Sequence, residues 1–248
     1  MSETYLLRTE NLTKTFGALV ANDGIDFSLE AGEVRGLIGP NGSGKTTFFN
    51  TVTGYYTPDN GSVAFEGTDI TGSDPASIAR AGLGRTFQIP RLFESMSVRE
   101  NLLSVYSPGP GVADSKRRRA DEVLASLDID HLAQDTPDEM SGGQQKLLEL
   151  GRLMMLDPTC ILLDEPTAGV NPALEDRILG YLSDMNEDGT TFVIIEHDMR
   201  VIKEVTDSVT VFNNGRIVCE GDFETIKSDP EVRQAYLGSA ASEGASDR

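Results

Sequence analysis

A glycine-rich loop followed by a lysine and a hydroxyl side chain is the clearest chemical pattern in this sequence. The loop and the residues beside it are Gly39, Pro40, Asn41, Gly42, Ser43, Gly44, Lys45, Thr46 and Thr47. Glycines let successive backbone N–H groups approach an anion, and the positive end of a helix dipole adds to the attraction. Lys45 would reach the β- and γ-phosphates of ATP, and Thr46 would bind Mg²⁺. The pattern predicts a nucleotide-binding P-loop rather than an ordinary glycine turn.

Two acidic residues end an apolar run further along the chain. Residues 160–163 are Cys-Ile-Leu-Leu, and Asp164 and Glu165 follow them directly. Asp164 is placed to hold Mg²⁺ through water, and Glu165 can polarise an attacking water as a general base. Solvated carboxylates at a strand end are the alternative, but the P-loop upstream favours the catalytic interpretation.

A serine-glycine segment lies 23 residues before Asp164. Its residues are Ser141, Gly142, Gly143 and Gln144. A hydroxyl group and glycine N–H groups at a helix start form an anion site, although an ordinary helix cap gives the same pattern.

The surrounding pattern predicts the elements that would position these residues. The first third has β-prone runs at 5–8, 25–29 and 62–65, with turn signals at Asp23-Gly24 and at 59–61. An apolar run at 34–38 ends at the glycine loop, and a helix from about Lys45 to Gly54 should follow it. This order of strand, loop and helix is the context that a P-loop requires.

The rest of the chain reads first as helical and then as alternating strands and helices. Residues 89–156 have helical periodicity, with capping patterns at Ser97 and Ser141. Buried strands are predicted at 160–163 and 192–195, with a helix between them that begins at Asn171-Pro172. The sequence therefore predicts an α/β fold with a P-loop NTPase core, an N-terminal antiparallel β subdomain and an inserted helical subdomain.

Size and composition limit the class of protein. A chain of 248 residues fits one large domain, and its two cysteines suggest no disulfide framework. No apolar run approaches the roughly 18 residues of a membrane span, and the N-terminus lacks the pattern of a signal peptide. The net charge of −19 argues against a nucleic-acid partner, because phosphate binding depends on Lys and Arg.

Together these segments resemble the nucleotide-binding subunits of ATP-binding-cassette (ABC) transporters over about residues 4–237. The resemblance implies one ABC ATPase domain at 4–237, with its catalytic core at 1–88 and 157–237 and the helical subdomain at 89–156. The small and polar residues at 238–248 predict a disordered tail. In that family two cassettes pack head to tail. Ser141 and Gly143 would then contact the γ-phosphate bound by a second subunit.

The resemblance also assigns roles to three isolated residues. His197 follows Glu165 by 32 positions and matches the switch histidine that orients the γ-phosphate. Gln88 follows Lys45 by 43 positions and would touch Mg²⁺ and the attacking water. Phe16 occupies the place of the aromatic that stacks on adenine. A surface glutamine and a core phenylalanine are the alternatives for the last two.

The segments 84–93, 196–199 and 235–238 resemble those of importers for branched-chain amino acids. That subfamily implies a second cassette, as a heterodimer or alternatively a homodimer, two transmembrane permease subunits and an extracytoplasmic substrate-binding protein. The chain would work at the cytoplasmic face of the cell membrane. Cassettes for urea, short amides or lipid export are similar alternatives.

Two other function classes fit the motifs less well. A cassette ATPase acting on DNA or ribosomes would carry long coiled coils or a second cassette, and this chain has only 53 positions between Gln88 and Ser141. A nucleotide-sensing module without turnover would not need Glu165 and His197.

The surface charge suggests adaptation of the host to high internal salt. Only six residues are Lys, whereas 40 are Asp or Glu. We expect dilute buffer to destabilise the protein and roughly molar KCl to restore it, because salt screens repulsion between like charges. Thermal unfolding across a KCl series tests this, and full stability at low salt would contradict it.

Overall fold

The computed structural model describes residues 5–105, 112–230 and 232–233, in which strands and helices alternate. The strands are β1 (Leu7–Phe16), β2 (Leu19–Leu29), β3 (Val34–Ile38), β4 (Asn60–Phe65), β5 (Thr68–Asp69), β6 (Leu83–Arg85), β7 (Cys160–Asp164), β8 (Thr191–Ile195), β9 (Ser208–Asn213) and β10 (Arg216–Gly221). The α-helices are α1 (Lys45–Val52), α2 (Pro75–Arg80), α3 (Val98–Leu103), α4 (Val112–Ser126), α5 (Gly142–Met154), α6 (Pro172–Glu187), α7 (Met199–Val205) and α8 (Phe223–Ser228). Short 3₁₀ helices span Asp130–Leu132 and Pro137–Glu139.

The N-terminal sheet is antiparallel, with strand order β2-β1-β4-β5. The predicted turn at Asp23-Gly24 is wrong, because both residues lie inside β2 and the β1–β2 turn follows Phe16. The pairing of β1 with β2 is irregular at this point, between Leu12 and Lys14. Gly24 has φ +64°, a conformation that glycine adopts without strain, so the turn signal marks a bulge within the strand.

The second sheet has six strands in the order β10-β9-β3-β8-β7-β6, and all neighbours are parallel except β10 and β9. Parallel pairing places the carboxyl ends of its strands at one edge of the sheet, where ligands bind in open α/β folds. The P-loop follows β3, Gln88 follows β6 and His197 follows β8, whereas Asp164 is the last residue of β7. The topology therefore gathers these four parts of the predicted site at a single edge.

Helix α1 lies in the core between the two sheets. Its Phe48 is fully buried and packs against Phe27 of β2 and Phe212 of β9, with ring centroids 5.2 and 5.5 Å apart. Every residue of β7 and β8 is buried, which explains why the sequence shows continuous apolar runs there instead of alternation.

Helices α3, α4 and α5 pack together around a separate part of the core. The capping box predicted at Ser97 and the helix cap predicted at Ser141 are both present, at the starts of α3 and α5, and the cap at Ser141 is also a capping box. Gly151 lets α5 approach its neighbours, because a Cβ there would lie 3.0 Å from Leu127 and 3.2 Å from Leu102. The subdomain boundaries at 89 and 156 stay predictions, and the predicted tail at 238–248 lies outside the described residues. No helix in the described ranges combines the length and apolarity needed to cross a bilayer.

One carboxylate of α5 lies inside this packing. Glu149 is 7% exposed, and its Oε1 accepts hydrogen bonds from the backbone N–H groups of Phe87 at 3.3 Å and Arg91 at 3.4 Å. Burial raises the pKa of Glu149 to about 7, against the opposing effects of these bonds and of Arg152 and Lys146. The helix thus holds the segment after β6 by a buried ionisable group.

The raised pKa predicts a specific dependence of stability on pH. Because the folded state binds the proton more tightly than the unfolded chain, this stabilisation is complete below about pH 4.5 and is lost as the pH rises through about 7. Glu149→Gln keeps the Oε1 acceptor but cannot titrate. Between about pH 5.5 and about pH 8, the wild type should lose about 2 kcal/mol of unfolding free energy relative to this variant. Urea denaturation at both values measures it, and a constant difference between the two proteins would contradict it.

Candidate active site

An open cleft of about 460 Å³ lies at the carboxyl edge of the parallel sheet. Residues from five separate parts of the chain line it, including the P-loop, Phe16, Gln88, Glu165 and His197. Its volume lies within the range of small-molecule binding sites. The fold therefore brings together residues that are up to 181 positions apart in the sequence.

The P-loop is shaped by glycines at positions that cannot hold a side chain. A Cβ on Gly39 would lie 2.2 Å from the carbonyl oxygen of Phe212, and one on Gly44 would lie 2.3 Å from that of Ala21. Gly44 also has φ +107° and caps the start of α1. Within the described residues, the buried Ser43 hydroxyl has no hydrogen-bond partner. A phosphate group fits this loop, because it would accept from that hydroxyl and from the N–H groups at the helix start.

Lys45 supplies a positive charge inside the loop. Its Nζ donates to the carbonyl oxygens of Gly39 at 2.7 Å and Pro40 at 3.0 Å. Burial lowers the pKa of Lys45, while the negative charges of Glu165 and Asp164 act in the opposite direction. The ammonium group therefore lies in the field of both predicted catalytic acids.

Glu165 lies between the two side chains that were predicted to act with it. Gln88 Nε2 donates to Glu165 Oε2 at 3.0 Å, and His197 Nε2 lies 3.2 Å from Glu165 Oε1. The backbone of Glu165 has φ +52°, and its N–H donates to Ile195 of β8 at 2.9 Å. The neighbouring strand thus holds a residue in the left-handed region, which is uncommon for glutamate.

Asp164 is buried beneath the cleft and is paired with an arginine that the sequence analysis did not select. Its carboxylate lies 3.6 Å from Arg85 Nη2, with side-chain exposures of 4% and 5%. Burial raises the pKa of Asp164, and the charges of Arg85 and Lys45 partly offset this effect. The backbone N–H of Asp164 donates to Thr86 Oγ1 at 3.0 Å. Position and charge of this carboxylate therefore depend on residues of β6 and the segment after it.

The oxygen-bearing side chains near the P-loop suit a magnesium ion. Thr46 is exposed at the cleft, Gln88 lines it, and the Asp164 carboxylate lies below. Mg²⁺ prefers oxygen ligands and usually keeps several waters, so a few protein groups together with nucleotide phosphates suffice. Thr46, Gln88 and Asp164 would hold the ion.

Phe16 is not the core aromatic that was the alternative to a nucleotide contact. Its side chain is 43% exposed and lines the cleft, and Tyr56 meets its ring edge-on at 5.2 Å. Lys14 Nζ lies 5.6 Å from the same ring. An exposed ring face at the rim is available for stacking on a base.

The serine-glycine segment does not belong to this cleft. Ser141 caps α5, its hydroxyl accepting from the N–H of Gln144 at 3.4 Å, while Gln144 Oε1 accepts from the N–H of Ser141 at 2.9 Å. Ser141 and Gly142 are exposed, and Gly143 packs closely against Leu174 of α6. These residues are presented outward from the chain instead of toward its own P-loop.

Sequence reasoning missed four residues that support the site. Arg85 and Thr86 contact Asp164, and Lys146 and Glu149 contact the backbone beside Glu165 and Gln88. A charged residue inside an otherwise apolar run was the available signal for Glu149, and the sequence around Arg85 carries no such signal. Nothing in the sequence reveals the partner of Lys146, because its contacts are backbone carbonyl groups.

Two family models and a curated relative match this chain. The family model described as ABC transporter matches residues 22–168, and the model described as branched-chain amino acid ATP-binding cassette transporter matches residues 216–242. The chain is 41% identical to a probable branched-chain amino acid transport ATP-binding protein of Archaeoglobus fulgidus, over 96% of this chain and 97% of that protein.

Solved structures are similar over nearly the whole chain. A nucleotide-free ATP-binding cassette from an ABC transporter matches with a TM-score of 0.85 and 38% identity, over 94% of this chain and 98% of that one. A dimeric cassette in a post-hydrolysis state with ADP and phosphate matches with a TM-score of 0.79 and 26% identity, over 88% and 98% of the two chains. From the family match and these identities, the chain belongs to the ABC transporter family, as an ATP-hydrolysing cassette.

Proposed function

We propose that this chain is the ATP-hydrolysing subunit of an importer for branched-chain or other hydrophobic amino acids. The position of Glu165 between Gln88 and His197, at the edge of the P-loop cleft, is the observation that carries the proposal. The family match at 216–242 and the relative from Archaeoglobus fulgidus support the substrate class. Urea, short amides and exported lipids are the alternative substrates.

The roles follow from the chemistry of each group. The N–H groups of the P-loop and Lys45 bind the phosphates, and Phe16 contacts the adenine. Glu165 accepts a proton from the attacking water, while Gln88 and His197 orient its two oxygens. Bound Mg²⁺ would neutralise charge that develops on the transferred phosphoryl group. His197 also reaches toward the γ-phosphate.

A second cassette subunit completes the site in this proposal. Ser141, Gly142, Gly143 and Gln144 start α5 outside the cleft, where their hydroxyl and N–H groups can meet a phosphate held by another subunit. The dimeric cassette among the solved structures supports such a pair. We expect a heterodimer, with a homodimer as the alternative.

Substitution of Glu165 tests the catalytic role directly. Glu165→Gln should bind ATP and accumulate a closed dimer, while its turnover falls roughly 10²–10³-fold, because the amide cannot accept the proton. ATP turnover with Mg²⁺ in high KCl and light scattering measure the two effects. Glu187→Gln, at the exposed end of α6, is the matched control and should resemble the wild type.

Unchanged turnover in Glu165→Gln would remove this residue from the mechanism. If the wild type alone shows neither turnover nor a dimer, the assay is repeated with the second cassette subunit. Turnover that appears only in the mixture of the two subunits establishes the heterodimer. If neither the chain alone nor the mixture hydrolyses ATP, a nucleotide-sensing module is favoured.

A groove of about 490 Å³ beside the segment after β6 is suited to a transmembrane permease subunit. Arg91 stacks on Phe87 at 3.9 Å, and Arg152 lies 5.0 Å from the ring of Phe93. Phe93 is 46% exposed and the neighbouring Ile89 is 80% exposed. Exposed apolar groups bordered by arginines are typical of protein interfaces. Docking here would place the chain at the cytoplasmic face of the membrane, with an extracytoplasmic binding protein on the other side.

Disruption of this groove should separate the chain from its permeases. We expect Phe93→Ser to retain ATP binding and its unfolding temperature but to lose co-purification with co-expressed permease subunits, since an aromatic interface anchor costs roughly 2 kcal/mol or more when removed. Phe223→Ser is the control, because Phe223 also lies beneath a cation, Lys203, but on α8 outside the groove. Equal retention of the permeases by both variants would contradict the docking site.

A further inference from the structure

Helix α5 carries a row of charged residues on one face. Lys146, Glu149 and Arg152 are three positions apart, so they lie along the same side of the helix. Each of them binds backbone groups of a loop that leads to the active site. Glu149 accepts from the N–H groups of Phe87 and Arg91, and Arg152 donates to the carbonyl oxygen of Arg91.

Lys146 makes the most extensive of these contacts. Its Nζ donates to the carbonyl oxygens of Glu165 at 2.7 Å, Pro166 at 3.3 Å and Ala168 at 2.7 Å. Three carbonyl oxygens around one ammonium group match the three donors of lysine. The side chain therefore fixes the path of the backbone immediately after Asp164.

The Lys146 ammonium group loses hydration when it is buried, so its three hydrogen bonds must replace those that it would make with water. Burial lowers the pKa of Lys146, whereas the negative charges of Glu196, Glu165 and Glu149 favour the charged form. A small cavity of about 20 Å³ is lined by Lys146 and Glu149 from the helix and by Asp164 and Glu165 from the strand end. The helix face and the catalytic acids thus line one small pocket.

The backbone that Lys146 holds is the one that needs support. Glu165 has φ +52°, and the turn after it is closed by the N–H of Ala168, which donates to the carbonyl oxygen of Glu165 at 3.2 Å. Residues in this region of φ persist only when their surroundings fix them. Lys146 binds the carbonyl groups on both sides of the turn.

We propose that Lys146 is a positioning residue for Glu165, and that it links the catalytic segment 165–168 mechanically to the helix that begins at Ser141. A displacement of Ser141 against a nucleotide on the second subunit would be transmitted along α5 to Glu165 of the same chain. This inference rests on the proposed function, because it takes Glu165 as the base.

The test compares three variants of the full chain. Lys146→Met removes the donors but keeps the aliphatic stem, and Lys146→Arg keeps charge and donors. Arg119→Met is the matched control, since Arg119 donates to a carbonyl oxygen at the other end of α5, that of Met154 at 3.4 Å, and touches neither loop. The readouts are ATP turnover, nucleotide affinity and hydrogen–deuterium exchange of residues 165–170.

We expect Lys146→Met to lower kcat roughly 10²-fold, because small misplacements of a catalytic group have effects of this size. Nucleotide affinity should stay within about twofold, since Lys146 does not touch the P-loop. The N–H groups of residues 165–170 should exchange roughly tenfold faster. Lys146→Arg should keep most of the wild-type kcat and most of the protection of residues 165–170 from exchange. Arg119→Met should resemble the wild type in both measurements.

Unchanged exchange at 165–170 in Lys146→Met would overturn the inference, whether or not turnover can be measured. Faster exchange with unchanged turnover would overturn it too, because the contact would then be structural only. Failure of the proposed function has a different signature, which is unchanged turnover in Glu165→Gln. A global fall in the unfolding temperature of Lys146→Met that Lys146→Arg does not reverse would also count against a positioning role.

Discussion

The parallel pairing of β3, β8, β7 and β6 is the constraint on which the active site depends. Parallel strands end at the same edge, so the P-loop, Gln88, Glu165 and His197 meet although they are distant in sequence. Both faces of β7 and β8 are buried, and this packing fixes the position along each strand at which the strand ends and its loop begins. A shift in register there would move Asp164 and Glu165 away from Lys45.

The elements that the sequence specified most clearly are those with a local physical cause. The P-loop context, the capping box at Ser97, the helix cap at Ser141 and the buried strands β7 and β8 could all be predicted, because helix caps and apolar runs are local signals. The bulge at Asp23-Gly24 was predicted wrongly, as a turn. A bulge in a strand needs the same left-handed glycine as a turn, so the residues alone cannot distinguish the two.

Within the site, side chains that belong to a sequence motif could be predicted, whereas side chains that only support other site residues could not. Gln88, Glu165 and His197 follow known spacings, and the structure brings them into contact. Arg85 of β6 pairs with Asp164 of the neighbouring strand β7, a contact that depends on the pairing of these two strands. To predict a long-range pair of this kind, one must know which strands are neighbours in the sheet, and no local pattern in β6 gives that information.

The contacts of α5 show why a charged helix face can serve several loops at once. Lys146 binds carbonyl groups and Glu149 binds N–H groups, and every residue carries the carbonyl while all except proline carry the N–H. Such contacts constrain the path of a loop without constraining its side chains, which are then free to meet nucleotide, metal or permease. Both loops bind the same helix, so a movement of α5 would act on the contacts of each. In the proposed dimer, the exposed N-cap residue Ser141 would be the place where the second subunit acts on both loops through α5.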